Sequence, residues 1–161
     1  MSATSHATYV EQARQLLCRY THLIDDGKLD QWPLLFTDEC CYRITTREIV
    51  SLGQSLSIML CTSKGMLFDR VEATQEANLF EPHYYRHVLS DSIVTGEKDD
   101  GALELTTNFF CMRTMMNGDS MLFVTGQYID EIVTQGSQCL FRSKWVVLDQ
   151  SKIDTLIAIP I

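Results

Sequence analysis

The sequence predicts an α+β protein in which N-terminal helices pack on one face of a curved, mostly antiparallel sheet. In the first part of the chain, apolar residues recur with helical spacing, whereas from Tyr84 onward the apolar segments are extended runs separated by short turn signals. Asn117-Gly118 lies between two such runs and is a strong hairpin signal. Such a sheet can curl into a cone, and its open end is where an enzyme of this architecture would have its pocket.

The first helix is predicted by its start signal, its apolar face and its stop signal. Thr8-x-x-Glu11 has the pattern of a capping box. The residues at helical spacing after it are Ala13, Leu16, Leu17, Tyr20, Leu23 and Ile24. Gly27, which suits the left-handed position after a helix, is expected to end it.

Two further helices are predicted before the long strands. Asp30 is expected to cap a short helix over "DQWPLLF", in which Pro33 falls in the first turn and costs no hydrogen bond. Ser63 is expected to cap a third helix over residues 64–77, and Pro82 closes that region.

The strands are predicted from β-branched and aromatic runs between turn signals. Two early strands are expected in "CCYRITTRE" (40–48) and "LSIMLC" (56–61). Four long extended runs follow: "YRHVLSDSIVTGE", "LELTTNFFCMRTMM", "SMLFVTGQYIDEIV" and "CLFRSKWVVLD". In the last run, strict alternation places Cys139, Phe141, Trp145 and Val147 on one face and Arg142 and Lys144 on the other.

Bulk properties restrict the class of protein. With 161 residues and 45% apolar residues, the chain is expected to form one domain over 1–161 with its own core. A net charge of −8 argues against nucleic acid or an anionic membrane surface as a partner. The sequence has no run approaching the roughly 20 apolar residues of a membrane span, and its N-terminus does not resemble a secretory signal.

We therefore expect a cytoplasmic protein whose cysteines stay reduced. The chain has no Cys-x-x-Cys pair and no regular spacing of a disulfide framework. The six cysteines, most of them in apolar runs, are Cys18, Cys40, Cys41, Cys61, Cys111 and Cys139.

The stretch "FEPHYYRHVLSD" (80–91) holds two of the four histidines and is the first place to look for chemistry. His83 and His87 are four residues apart, which puts them on one face of either a helix or a strand. Glu81 is near, but no third histidine is close in sequence, and Pro82 disfavours a continuous helix. We therefore assign no metal site.

Acid–base chemistry is the alternative that the residues leave open. His87 on a strand could work with Tyr20, Asp26 or Asp38 from the helices, as in an isomerase or dehydratase. The competing interpretation is a structural histidine at the start of a strand. The sequence shows no Gly-x-Ser-x-Gly, phosphate-binding Gly-rich loop or Cys-x-His motif, so from the residues alone we assign no catalytic, cofactor-binding or metal-binding residue.

A resemblance to a known family covers nearly the whole chain. "LIDDGKLDQWPLLFTDECCYRITTRE" (23–48) and "DRVEATQEANLFEPHYYRHVLSD" (69–91) resemble small (β) subunits of aromatic-ring-hydroxylating (Rieske) dioxygenases, with Arg86, His87 and Ser90 on matching positions. The closing "DTLIAIPI" is similar to members that act on aromatic carboxylates, terephthalate 1,2-dioxygenase and then salicylate hydroxylase small subunits.

This resemblance implies a cone-shaped fold like that of ketosteroid isomerase and nuclear-transport-factor-like proteins. It also implies a structural, non-catalytic small subunit in aromatic-compound catabolism, paired with a large α oxygenase subunit, commonly as an α₃β₃ hexamer with a β trimer, and served by an NADH-dependent reductase. The Rieske [2Fe–2S] cluster and the mononuclear non-haem iron are then expected in the α subunit. Arg86 and His87 become hydrogen-bonding residues of a corner or interface. The alternatives are a stand-alone cone-fold isomerase or dehydratase and a small-ligand-binding module.

Overall fold

The computed structural model describes residues 3–76, 81–152 and 157–161. In these ranges the chain forms three α-helices, one 3₁₀ helix and seven strands. In chain order they are α1 (Ala3–Asp25), the 3₁₀ helix (Leu29–Leu35), β1 (Phe36–Thr46), α2 (Arg47–Ser51), β2 (Met59–Cys61), α3 (Lys64–Glu76), β3 (His83–Leu89), β4 (Ile93–Glu97), β5 (Leu103–Met115), β6 (Ser120–Gln135) and β7 (Gln138–Leu148).

The strands form one mixed sheet in the order β2-β1-β7-β6-β5-β3, with β4 paired to β5. β1 and β7 run parallel, and the other neighbouring pairs are antiparallel. The α+β prediction is therefore confirmed, and so is the hairpin, because β5 and β6 are joined at Asn117-Gly118, where Gly118 has φ of 93°. Only a residue without Cβ adopts that backbone conformation at little cost.

Irregular pairing bends the long strands. The register shifts by one residue between β5 and β6 at Phe123, between β6 and β7 at Arg142, and between β4 and β5 at Thr95. A bulge of this kind bends its strand and increases the local twist. The sheet is therefore curved, and α1 packs against β3 and β7.

The bulge at Arg142 overturns one prediction about β7. Strict alternation places Phe141 and Trp145 on one face and Lys144 on the other. Because Arg142 is an extra residue opposite β6, the two faces exchange after it. Phe141 and Lys144 are both fully buried, whereas Trp145 is half-buried. The predicted position of Lys144 was wrong for this reason.

The helix boundaries differ from the predicted ones at two starts. α1 begins at Ala3, so Thr8 lies within the helix and does not cap it. Residues 3–7 include two alanines and no glycine or proline, so the helix continues through them. Lys28, not Asp30, is the N-cap of the 3₁₀ helix, since its carbonyl accepts the N–H of Gln31 at 3.1 Å.

The third helix and the first strand agree more closely with expectation. Ser63 Oγ accepts the Met66 N–H at 3.3 Å, which confirms the predicted cap of α3. Residue 77, the last one of the predicted helix, lies outside the described residues. The predicted strand over 40–48 begins earlier, at Phe36, and ends at Thr46, because Thr46 Oγ accepts the Ile49 N–H and caps α2.

The core lies between α1, the 3₁₀ helix and the inner face of the sheet. The apolar residues predicted for one face of α1 are all buried: Ala13, Leu16, Leu17, Tyr20, Leu23 and Ile24. Across from them, Trp32, Phe36, Tyr42 and Phe141 meet edge to face or tilted, with ring centroids 5.0–6.0 Å apart. This aromatic cluster fills the space beneath α1.

A buried ion pair lies beside this aromatic cluster. Lys144 Nζ lies 3.0 and 3.2 Å from the two carboxylate oxygens of Asp130, and neither side chain is exposed. Nζ also lies 4.3, 3.7 and 4.6 Å from the ring centroids of Tyr20, Tyr128 and Phe141. Burial raises the pKa of Asp130 to about 6 and lowers that of Lys144, and each charge offsets part of the other's desolvation. The two side chains therefore depend on each other.

We expect Lys144→Met to lower the free energy of unfolding by about 3–5 kcal/mol, because it leaves the Asp130 carboxylate buried without its partner. The double variant Asp130→Leu/Lys144→Met should recover most of that loss, since no charge remains in the core. Urea unfolding measures both. Lys28→Met, which removes the exposed partner of Asp26, is the matched control and should have little effect. An equal loss for Lys144→Met and Lys28→Met would contradict the account.

Candidate functional site

The histidine-rich stretch lies on a strand, not on a helix. β3 runs from His83 to Leu89, directly after Pro82, and His83, Tyr85 and His87 lie on one face of it. His83 is half-buried, with its ring 4.7 Å from that of Tyr85. The His87 side chain has no exposed surface. The two histidines therefore share a face but not an environment.

Asp25, the last residue of α1, holds His87 in place. The His87 Nδ1 lies 2.6 Å from Asp25 Oδ1, and the His87 main-chain N–H donates to Asp25 Oδ2 at 2.9 Å. Only 4% of the Asp25 side chain is exposed. Arg86 Nη1 lies 3.9 Å from the same carboxylate and is itself largely exposed. Asp25 thus joins the end of α1 to the second half of β3.

The three residues predicted as partners of His87 lie elsewhere. Asp26 is exposed and bonded to Lys28, which lowers the pKa of Asp26. Asp38 is 92% exposed and lies 2.8 Å from Lys64 Nζ. The Tyr20 hydroxyl donates to the Ile161 main-chain oxygen at 2.6 Å.

A sequence signal for Asp25 existed but was weak. Leu17, Thr21 and Asp25 are four residues apart, and Leu17 belongs to the predicted apolar face of α1. Leu17 and Thr21 are buried, and Asp25 continues the same row. This spacing predicts that Asp25, and not its neighbour Asp26, lies on the buried face of α1. The sequence "DDG" by itself does not separate the two.

The pair has the elements of an acid–base site in a closed environment. With the carboxylate at Nδ1, the hydrogen-bond pattern assigns a proton to Nδ1. His87 Nε2 is buried without a hydrogen-bond partner among the described residues. The rings of Tyr85 and Phe109 lie 6.1 and 6.3 Å from the imidazole. A base needs its substrate within hydrogen-bond reach, and this nitrogen is shielded from solvent.

The geometry of β3 does not favour a metal site. Four residues along a strand span about 13 Å, whereas ligands of one transition-metal ion each lie about 2 Å from it. His83 and His87 thus cannot share one ion while β3 is extended. Across the described residues, no three His, Cys, Asp or Glu side chains come together in a group that could hold a metal.

Comparison with known proteins decides the family. A model of the ring-hydroxylating β subunit family matches residues 19–155. The chain belongs to this family. It is 35% identical to the anthranilate 1,2-dioxygenase small subunit of Burkholderia cepacia, over 89% of this chain and 88% of that one. It is 34% identical to the terephthalate 1,2-dioxygenase terminal oxygenase component subunit beta 1 of Comamonas sp, over 88% of this chain and 92% of that one.

Solved structures agree with the fold of this β subunit. A chain from Novosphingobium aromaticivorans DSM 12444, assigned there as the β subunit of an aromatic-ring-hydroxylating dioxygenase, superposes with a TM-score of 0.88 at 31% identity, over 98% of this chain and 99% of that one. A chain from the same organism, assigned there as a scytalone dehydratase, gives a TM-score of 0.74 at 11% identity, over 98% and 95% of the two chains. The second likeness shows the fold alone, and together they confirm the predicted cone-type fold.

Membership of the family implies an α oxygenase subunit as the partner of this β subunit. Three of the residues that matched the family, Arg86, His87 and Ser90, lie at the junction of α1, β3 and β5. Besides Arg86 and His87 at Asp25, Ser90 joins β3 to β5, since its Oγ accepts the Asn108 N–H at 3.1 Å and its N–H donates to the Asn108 carbonyl at 2.9 Å. No helix within the described residues is long and apolar enough to span a membrane.

The cysteines of the β subunit are unpaired in the structure. Burial raises the pKa of the Cys40 thiol to about 11 and that of Cys111 to about 12. Both therefore stay protonated and weakly nucleophilic at neutral pH. That all six remain thiols in the cell stays a prediction.

Asp25→Ala should lower the free energy of unfolding by about 2–3 kcal/mol, because it removes a charged acceptor of two hydrogen bonds and leaves buried His87 donors unpaired. Asp26→Ala, one residue away and exposed, is the control and should have little effect. Urea unfolding of both variants measures the difference. If the two substitutions cost the same, Asp25 does not hold α1 to β3.

Proposed function

We propose that this β subunit is the structural, non-catalytic member of an oxygenase that hydroxylates an aromatic carboxylate. The observation that supports a structural role best is the Asp25–His87 pair. The chain's clearest acid–base arrangement joins α1 to β3, and its imidazole has no exposed surface. A group used in this way stabilises the subunit and does not meet a substrate.

The substrate class comes from the relatives. The names of the relatives at 35% and 34% identity specify anthranilate and terephthalate, both of which are aromatic carboxylates. Substrate choice would follow the pocket of the α subunit. We therefore propose an aromatic carboxylate such as terephthalate for the complex.

The redox centres are proposed to lie in the α subunit. A Rieske [2Fe–2S] cluster takes two Cys and two His ligands, and an oxygen-activating non-haem iron takes two His and one carboxylate. The described residues of this chain do not fit either set, because no three suitable side chains converge. His87, the histidine nearest to a buried carboxylate, uses its Nδ1 for Asp25.

The proposed assembly is an α₃β₃ hexamer with a β trimer, served by an NADH-dependent reductase in the cytoplasm. Two groups of exposed apolar side chains support several protein contacts. One lies on the outer face of the sheet at β3, β5 and β6: Tyr84, Val88, Phe110 and Leu122. The other follows the chain from α2 through β2 into α3: Val50, Leu52, Leu56, Ile58, Leu60, Met66 and Phe68.

A stand-alone isomerase or dehydratase is the second candidate, and the Asp25–His87 geometry is what favours it. A carboxylate at Nδ1 orients an imidazole, as in many general bases. This function would require substrate access to Nε2. The two candidates make opposite predictions for the same substitution.

In the complex formed with the α subunit, His87→Ala should lower the yield of assembled complex while leaving turnover per assembled complex unchanged. The substitution removes the imidazole's bond to Asp25, keeps the main-chain N–H bond to the same carboxylate, and therefore weakens the link between α1 and β3 without removing a reacting group. Size-exclusion chromatography measures assembly. Product formation from terephthalate or anthranilate, with reductase, NADH and O₂, measures turnover.

Activity assays on the isolated chain, without the α subunit, test the isomerase or dehydratase function. If His87→Ala leaves assembly intact and abolishes turnover per complex, the structural role is wrong. An isolated chain that catalyses an isomerisation or dehydration, and loses that activity with His87→Ala, would support the second candidate instead.

A further inference from the structure

An uncharged stretch of the chain lies exposed along one edge of the sheet. Residues 49–63, called here the uncharged segment, run from α2 through β2 to the residue before α3 and contain no Asp, Glu, Lys, Arg or His. Leu52 and Leu56 are each 63% exposed. Arg43 of β1 fixes this part of the chain to the sheet, because its Nη2 donates to the Leu56 carbonyl at 2.8 Å. The two leucines are therefore held on the surface in a defined position.

A second exposed apolar surface lies at the opposite edge of the sheet. β2 and β3 are the two ends of the strand order, and the uncharged segment contains β2. The outer face at β3, β5 and β6 presents the side chains called here the sheet-face patch: Tyr84, Val88, Phe110 and Leu122. A pocket of about 320 Å³ opens within this patch, lined by Val88, Phe110 and Asn108 among others. Pockets of this kind receive the apolar anchor residues of a protein partner.

The sheet-face patch carries no acidic side chain. At positions 84, 86 and 88 of β3, and at the positions paired with them on β5 and β6, the one charged side chain is the largely exposed Arg86. Asp149 borders the patch, where it accepts a hydrogen bond from the Thr125 hydroxyl at 2.9 Å, but it is already paired with Arg47 at 3.4 Å. The patch is therefore neutral to positive on a chain whose net charge is −8.

The charges beside the uncharged segment complement those of the patch. Arg47 and Lys64, which lie near its two ends, are in ion pairs within the chain. Glu48 is exposed and makes no ion pair with the described residues, so the free charge beside the segment is opposite in sign to Arg86. Two copies of an acidic chain repel each other, and a contact between them is favoured where carboxylates do not face carboxylates. The segment and the patch meet this condition.

Symmetry also favours a contact between these two different surfaces. In a closed ring of three identical copies, each contact joins one surface of a protomer to a different surface of the next. We propose that, in the β trimer, the uncharged segment of one copy docks on the sheet-face patch of the next, with Leu52 and Leu56 packed against Val88 and Phe110. This inference rests on the trimer proposed above and assigns the surfaces that form it.

One substitution on each surface tests the proposal in the isolated β subunit. Leu56→Glu and Phe110→Glu should each convert the trimer to a monomer and weaken association at least about thirtyfold, because each buries a carboxylate in the contact. Leu34→Glu, at a 55% exposed position on the 3₁₀ helix, is the control and should remain a trimer. Sedimentation velocity measures the mass, and circular dichroism shows whether each variant is folded. Leu52→Glu and Tyr84→Glu replace a variant that does not fold.

Mixing the two monomeric variants separates a head-to-tail contact from other arrangements. The Leu56→Glu chain keeps its sheet-face patch, and the Phe110→Glu chain keeps its uncharged segment. An equimolar mixture should therefore form one intact contact and give a dimer with one copy of each variant, but no trimer. If each surface contacted its own counterpart, each variant would dimerise alone, and the proposal would be wrong.

Three further results would overturn the proposal: an unsubstituted chain that is monomeric at micromolar concentration, variants that both remain trimeric, or a mixture that remains monomeric. In the second case, variants that no longer bind the α subunit would assign these surfaces to that subunit instead. Each of these results is distinguishable from a failure of the proposed function, which is measured by turnover of the complex formed with the unsubstituted chain.

Discussion

The structure depends on the ion pair between Lys144 and Asp130. The bulge at Arg142 turns Lys144 into the core, where an ammonium group without a partner would be strongly destabilising. Asp130 on the adjacent strand supplies the charge, and the rings of Tyr20, Tyr128 and Phe141 enclose the Nζ. Because Tyr20 belongs to α1 and the other two rings to the sheet, the pair lies where the helix meets the strands.

The sequence predicted features whose causes are local. The apolar row of α1, the Ser63 cap and the turn at Asn117-Gly118 each depend on a few neighbouring residues, and each was confirmed. The buried position of Lys144 was missed, because a bulge leaves no mark in an alternating pattern. Asp25 was missed because its partner, His87, is 62 residues away and only the tertiary structure brings them together.

A filled interior connects the fold with the proposed role. The aromatic cluster, the ion pair and Ile161 occupy the space beneath α1, and Asp25 closes the corner at His87. The exposed apolar side chains lie outside, on β3, β5 and β6 and along the chain from α2 into α3. On the proposal above, this β subunit therefore presents rigid outer surfaces to its partners. The solved relatives show that one backbone serves proteins with different assignments, so the role must be argued from the side chains.

The partition of metal between the two subunits tests the central claim most directly. The purified complex would be dissociated anaerobically, its subunits separated, and iron and acid-labile sulfide measured in each fraction. A structural β subunit predicts that both remain with the α subunit, or are released from it, and that this chain contains neither. Stoichiometric iron that stays with this chain, and is lost when His83 and His87 are both replaced by alanine, would contradict the account.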